Sequence, residues 1–308
     1  MARTESVLAI GDLNADLILT GLSGAPRPGR EVVVRGCLLT LGGSAAIFAC
    51  GVARLGRPVR FLGKVGDDDP GRLVLGLMKR RGVDVSGVRV DPRVGTGIAA
   101  SLSGSDDRAL ISFLGTVATA TLRDLDLSRL DRHRHLHLTS PFLQSNLRPH
   151  FPLLLKRAKK AGLTTSFDPG WDPSESWKVD DLLPWVDVLL VNEVEAEALT
   201  GLKPVAAAAA LSRRVPLAVV KIGPGGAMAA WAGRAWRAPA FPVKPLDTTG
   251  AGDTFAAGFL DAWLAGKTVE EALSIGCACG ALSTLTPGGY EGQPTRAQAR
   301  ALLRKGRP

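Results

Sequence analysis

From residue 135 onward the chain alternates short strand-like runs with helical patterns, and that alternation restricts the fold more than any other feature. Strand "HLHLTS" leads to helix "PHFPLLLKRAKKAG", then strand "TTSFDP", a helix near 179–184 and strand "VDVLLVN". Helices "EVEAEALTG" and "AAAAALSRR" follow, then strand "LAVVKIG", two short β runs across 227–242, helix 253–265, helix "VEEALSIGCACGALST" and a polar tail. Short strands alternating with helices predict an α/β fold: a doubly wound, mostly parallel sheet with helices on both faces. The segments 13–40 and 96–115 are β-rich and do not fit the alternation; the second reads as a hairpin around "GSDD". They predict a small separate sheet, inserted twice, over one edge of the main sheet. No repeat of 20–50 residues and no long Ser/Pro linker divides the 308 residues, so one domain spanning 1–308 is expected.

Upstream, "SVLAIGDLNADLILTGL" reads as a buried strand, a break at Gly11 and a second apolar run, and "EVVVRGCLLTL" as another strand. "GGSAAIFACGVARLG" places two glycines before a small-residue helix closed by Gly56. "PVRFLGKVG" is a strand, and "GRLVLGLMKRRGV" a helix of about 11 residues ending at Gly82.

Composition bounds the function. Hydrophobic residues at 45% with 22% charged fit a globular protein rather than a disordered one. The longest apolar run, at 205–211, is far short of the roughly 20 residues of a membrane span, so no membrane partner is expected. The N-terminus enters a strand-like run almost at once, which suggests a cytoplasmic protein. The net charge of +9 invites a nucleic-acid reading, but Lys and Arg are scattered and one tyrosine with 5% aromatics offers little stacking surface. A basic surface that favours anionic substrates or keeps the chain in solution fits better, with no nucleic-acid partner.

Four cysteines (Cys37, Cys50, Cys277, Cys279) in apolar surroundings read as reduced thiols. His133, His135 and His137 alternate along one strand and would share a face, as metal ligands do, yet no acidic partner is apparent; ordinary packing is the simpler account.

The stretch "DTTGAGDTFAAGF", Asp247 to Phe259, carries the chemistry. Open α/β sheets bind ligands where strands feed helices. Gly250-Ala251-Gly252 leaves backbone N–H groups for an oxyanion, and the helix behind adds its positive end. Asp253 beside that pocket suits a base taking a proton from an attacking hydroxyl. A helix N-cap is the competing account.

Six landmarks in order, "GDLNAD", "GGSAAIFACGVARLG", "GKVGDDDPG", "NEVEAEALTG", "KIGPGG" and "DTTGAGD", cover nearly the whole chain. Together they resemble the ribokinase-like (PfkB) family of sugar and nucleoside kinases, with "GAGD" the most specific match. The resemblance implies an ATP-dependent phosphotransferase acting on a hydroxyl of a sugar or sugar-like substrate. It makes Asp253 the general base and the amides of Gly250, Ala251 and Gly252 the anion hole. It brings Mg²⁺ with the nucleotide through Asn192 and Glu195, Glu195 ordering magnesium-bound water; a capping box is the alternative for that pair. Lys221, Gly223, Gly225 and Gly226 fall on its nucleotide loop, and Cys277 is counted with them. A monovalent cation, K⁺, would lie at Asp247 and Thr249 with Ser283, Thr286 and Gly288.

For the acceptor, Asp12, Asn14 and Asp16 recur with period 2 and should share a strand face. Polar groups on an apolar strand are costly unless something polar covers them. The family places sugar hydroxyls there and brings Gly42 and Gly43 to the sugar. Ile47 stands where many relatives carry an asparagine, and Thr139 where ribose-preferring relatives tend to carry a glutamate. Losing both polar groups predicts a less polar pocket and poor use of ribose; Ile47 pointing into the core is the alternative. The β-rich segments are expected to act as a lid, with a homodimer through the lid as an associated expectation. A nucleoside kinase of the same family is the nearest rival reading, and a catalytically inactive nucleotide- or sugar-binding sensor the rival from another class.

Overall fold

The computed structural model describes residues 6–22, 24, 26–103 and 108–306. In chain order the strands are β1 (Val7–Ile10), β2 (Asn14–Thr20), β3 (Gly36–Gly42), β4 (Val59–Gly66), β5 (Asp84–Asp91), β6 (Gly97–Ser103), β7 (Arg108–Phe113), β8 (His135–Thr139), β9 (Thr164–Asp168), β10 (Val188–Asn192), β11 (Leu217–Lys221), β12 (Ala227–Trp231) and β13 (Arg234–Ala238). The helices are α1 (Ser44–Arg54), α2 (Asp69–Arg81), α3 (Thr116–Thr119), α4 (Phe151–Lys160), α5 (Glu193–Thr200), α6 (Pro204–Leu211), α7 (Ala251–Leu264), α8 (Val269–Ser283) and α9 (Arg296–Lys305).

A strand buried on both faces must divide its side chains between two cores, and β1 and β11 do so. Val7, Ala9, Leu217 and Val219 join one core with α1, α2, α7 and α8. Leu8, Ile10, Ala218 and Val220 join the other with α4 and α6. The resulting nine-stranded sheet has the order β13-β12-β11-β10-β9-β8-β1-β4-β5, parallel except for the pairs β11–β12 and β12–β13. This is the doubly wound, mostly parallel arrangement expected from the alternation. The second sheet has the order β3-β2-β6-β7 and draws on both β-rich segments; the expected turn at 104–107 lies outside the described residues.

Several elements differ from the sequence reading. Only a single turn of tighter helix, Leu183–Trp185, occurs where a helix near 179–184 was expected, because Pro184 cannot continue one. β3 starts at Gly36 rather than in "EVVVR". β5 was unforeseen: it is the edge strand beside β4, with exposed polar positions that hide its period. The polar tail holds α9, started by a capping box in which Thr295 and Gln298 bond each other's backbone N–H.

His135 and His137 are buried on β8. His135 bonds Thr164 and Ser166, His137 bonds Ser166, and the His137 ring lies 3.8 Å from that of Phe48. Burial pushes both imidazoles down in pKa, so they are neutral packing groups. Cys50, Cys277 and Cys279 are buried and Cys37 exposed, all four as free thiols. No helix among the described residues is long and apolar enough to cross a membrane.

Candidate active site

The C-terminal ends of β9, β10 and β11 converge on the start of α7. Asp168 ends β9, Asn192 ends β10 and Lys221 ends β11, in parallel register. Lys221 Nζ donates to Asp168 Oδ2 at 2.5 Å, with both side chains nearly buried. A Cβ added at Gly252 would lie 3.4 Å from the same ammonium, so Lys221 stands beside the first turn of α7. Asp253 sits in that turn, and α7 is capped not by its carboxylate but by Gly250, whose φ of 68° favours glycine. Gly250 cannot easily be replaced: a Cβ there would also press on Gly289 at 2.7 Å.

The electrostatics are strained. Burial first, then the charge of Asp168, pushes the Asp253 carboxyl well above its usual range, while Lys221 opposes the rise. Glu195 is raised for the same two reasons, burial and Asp168. Burial disfavours the Lys221 ammonium, but the charges of Asp168 and Glu195 outweigh it and hold the pKa above the ordinary lysine value. Asn192 and Glu195 form the reciprocal capping box of α5: Asn192 N donates to Glu195 Oε2 at 2.9 Å and Glu195 N to Asn192 Oδ1 at 2.9 Å. The alternative account of this pair is therefore realised, although Glu195 still faces Asp168 and Lys221 electrostatically.

Two cavities flank this turn. One, of about 470 Å³, is bounded by Lys221, Gly223, Gly226, Thr248, Ala251 and Gly252. Its far wall is apolar, with Phe241, Pro242, Val243, Phe255 and Cys277. Gly225 belongs to the same loop but backs onto Ile222 instead of the cavity. The other cavity, of about 210 Å³, is bounded by Asn14, Asp16, Gly43, Ile47, Gly250 and Asp253. Helix geometry leaves the first N–H groups of α7 without intrahelical acceptors. Ala251 N donates to Thr248 O at 3.2 Å, so of the three expected amides this one is already engaged.

The second cavity corrects two expectations. Asp12 does not share a strand with Asn14 and Asp16: it precedes β2 and accepts from Ser44 N at 2.8 Å and Ala45 N at 3.1 Å, capping α1. It still borders the cavity. Thr139 is buried at the end of β8, 3.2 Å from Ser140 Oγ, and does not line the cavity. Asn14 and Asp16 do share a face, Asn14 Nδ2 donating to Asp16 Oδ1 at 2.7 Å. Burial, with Asp12, Asp247 and Glu291 nearby, pushes Asp16 up to about 7 against that bond. A Cβ at Gly42 would strike the Asp16 carboxylate, and Gly43, at φ 91°, would place one 2.6 Å from Asp12 O. Ile47 borders the cavity and also packs on Gly250 and Gly289.

The loops named for a monovalent cation come together. Asp247 accepts from Thr249 N and Gly288 N, both at 2.9 Å, and Leu246 N donates to Thr284 O at 2.7 Å. Ser283 O and Thr286 Oγ1 both border Gly292. Asp168 was missed by sequence reading. Its signal was available: an acidic residue ending strand "TTSFDP", at the sheet edge where ligands bind.

The profile of the pfkB family carbohydrate kinases matches residues 4–296. An ATP-dependent ribose-1-phosphate kinase of Halopiger xanaduensis is 33% identical over 299 residues, covering 96% of this chain and 97% of the relative. Fructokinase-2 of Solanum lycopersicum is 30% identical over 324 residues, covering 97% and 96%. Among solved structures, Arabidopsis thaliana ribokinase complexed with ribose and ATP superposes with a TM-score of 0.87 at 26% identity, covering 98% of this chain and 99% of that one. The chain belongs to the pfkB family of carbohydrate kinases.

Proposed function

We propose that this kinase moves the γ-phosphoryl group of ATP to a hydroxyl of a sugar or sugar-like alcohol, with Asp253 as the general base. One observation carries the reading: Thr248 to Asp253 is the shared wall of the two cavities, so a donor in one and an acceptor in the other meet at α7. The larger cavity suits a nucleotide, its apolar wall taking the base and Lys221 with the α7 amides taking phosphate oxygens. In the smaller one, Asn14 and Asp16 hold acceptor hydroxyls beside Gly42 and Gly43. Asp253 accepts the proton of the attacking hydroxyl, and a carboxyl raised by burial is better matched to that task than an ordinary one.

No three His, Cys, Asp or Glu side chains among the described residues converge as direct metal ligands. The donor set instead fits Mg²⁺ that keeps much of its water, near Glu195 and Asp168, where buried carboxylates repel one another. Such an ion neutralises nucleotide phosphate charge. The loops at Asp247, Thr249, Ser283, Thr286 and Gly288 suit K⁺ held mainly by carbonyls.

The four-stranded sheet acts in this reading as a lid closing over the acceptor and excluding water. Its outer face is apolar and suits pairing with a second copy of the chain. Free thiols and ATP use fit a cytoplasmic setting. A nucleoside acceptor is the second reading, favoured by the apolar Ile47 in the cavity wall. Measuring ADP release with Mg·ATP over a panel of sugars and nucleosides tests the proposal. ADP release that depends on an acceptor is expected; nucleotide binding with none released for any acceptor would leave a binding protein.

A further inference from the structure

The acceptor cavity has an uneven chemical lining. Asp12, Asp16 and Asp253 give it three carboxyl groups, and among the described residues no Lys or Arg borders it. The same cavity is lined by the apolar Ile47, Ile98, Leu110, Phe113 and Leu143. Leu110 comes from β7 of the lid, on the same strand face as Ser112, and is 59% exposed, so it is uncovered until something lies beneath it. The charges of Asp12, Asp247 and Glu291 add to burial in pushing Asp16 up to about 7, so a further anion nearby is unwelcome.

Two described cations near the cleft, Lys221 and Arg35, are committed elsewhere or distant. Lys221 binds Asp168 on the nucleotide side of α7. Arg35 lies along Gly21, beyond the far end of β2.

We infer that the acceptor is uncharged, with its hydroxyls toward Asn14 and Asp16 and a less polar face toward Ile47 and Leu110, and that phosphorylated sugars are rejected. This rests on the kinase reading above. A phosphate brought into the cavity opposes ionisation of these three carboxyls, Asp253 among them, and meets no cation among the described lining residues; such juxtaposition is an effective device for excluding a partner. The inference separates two kinds of relative that overall similarity does not: a fructokinase, and a kinase whose named acceptor already carries phosphate.

The lid position that sets this selectivity is Ser112. It pairs with Ala99, which pairs with Asp16, so it faces the cavity two strands away, roughly 10 Å by sheet spacing. It is exposed, so a longer side chain fits there. A cation at Ser112 would supply a counter-ion that the described lining lacks.

The test uses the whole chain with Mg·ATP and reads ADP release with fructose, ribose, adenosine, ribose 1-phosphate and fructose 6-phosphate. The expected result is that at least one uncharged acceptor exceeds both phosphorylated ones by about a hundredfold or more in kcat/KM, the scale of discrimination that an unmatched charge gives. Ser112→Arg should narrow that ratio about tenfold or more, through a lower KM for the phosphorylated acceptors. A phosphorylated acceptor used as well as the best uncharged one overturns the inference and leaves the kinase reading standing. A wild-type preference for uncharged acceptors that Ser112→Arg leaves untouched overturns the role of position 112. Nucleotide binding without turnover of any acceptor removes the kinase reading, and this inference with it.

Discussion

At the scale of single residues, the site is a contest between burial and charge. Asp253 is held near three other acidic groups, Asp168, Asp12 and Glu195, and one ammonium, and its carboxyl is raised by burial and then by Asp168. If it is the base, Asp253→Asn lowers kcat at least about a hundredfold while ADP affinity changes little, both read by steady-state kinetics and calorimetry. The pH dependence follows. The active form is the carboxylate, so kcat/KM rises with pH through the folded-state pKa, and its acid limb lies above the ordinary aspartate range. The same shift has a stability sign. A carboxyl whose folded pKa is raised contributes stability that is complete below its unfolded value, near 3.8, and lost as pH rises through the folded value. Asp253→Asn should therefore melt higher than the wild type at pH 8, with the difference shrinking toward pH 4. Turnover near the wild-type level, or a difference in melting that does not change with pH, would count against the assignment. Lys221 behaves oppositely. Lys221→Met strands Asp168, with Glu195 and Asp253 close by, and should cost about 3–5 kcal/mol in denaturant titrations at pH 8, less at pH 5 where carboxyls take up protons.

Elements decide how those residues are presented. α1 begins because Asp12, not a residue of its own loop, accepts from Ser44 N and Ala45 N, while Gly43 turns the chain at φ 91°. Asp12→Ala should thus cost about 1–2 kcal/mol in urea denaturation, as the loss of a cap does; a fall in kcat/KM with unchanged stability would assign Asp12 to substrate alone. This cap also shows what sequence reading could and could not reach. Strands such as β10 and β11 were legible because four-residue apolar runs between helices have few other fates. The turn before α7 was legible because glycine beside an aspartate at a strand-to-helix junction is chemically unusual. Asp12 misled because period 2 assumes an unbroken strand, and the chain bends between Ile10 and Asn14. β5 and α9 were hidden by polar, exposed positions: an edge strand and a surface helix need only one covered face. The Lys221–Asp168 pair joins residues 53 positions apart, and only the register of parallel strands brings them together.

For the whole molecule, the four-stranded sheet proposed as a lid has two unlike faces. Toward the cleft, Asp16, Thr40, Ala99 and Ser112 form one row across its four strands. On the opposite face, Leu39, Leu17, Ala100 and Ile111 form a row, and Cys37, Leu19, Leu102 and Ala109 the next. Leu39 is 49% and Ile111 63% exposed, so this apolar face is only partly covered by its own chain. Contiguous exposed apolar surface on a sheet is normally covered by a partner, and a flat twisted sheet is well matched to a copy of itself through a two-fold axis. The pairing proposed above therefore predicts a concentration-dependent dimer in sedimentation velocity at micromolar protein. The double variant Leu39→Lys with Ile111→Lys places two ammonium groups in that face from each copy and should sediment as a monomer. Both positions lie on the side of the lid away from Asp16, so the acceptor cavity keeps its lining and kcat of the monomer reports how far catalysis depends on a paired lid. A wild-type chain that remains monomeric up to high micromolar concentration with full activity would remove the pairing, and the apolar rows would then need another partner to cover them.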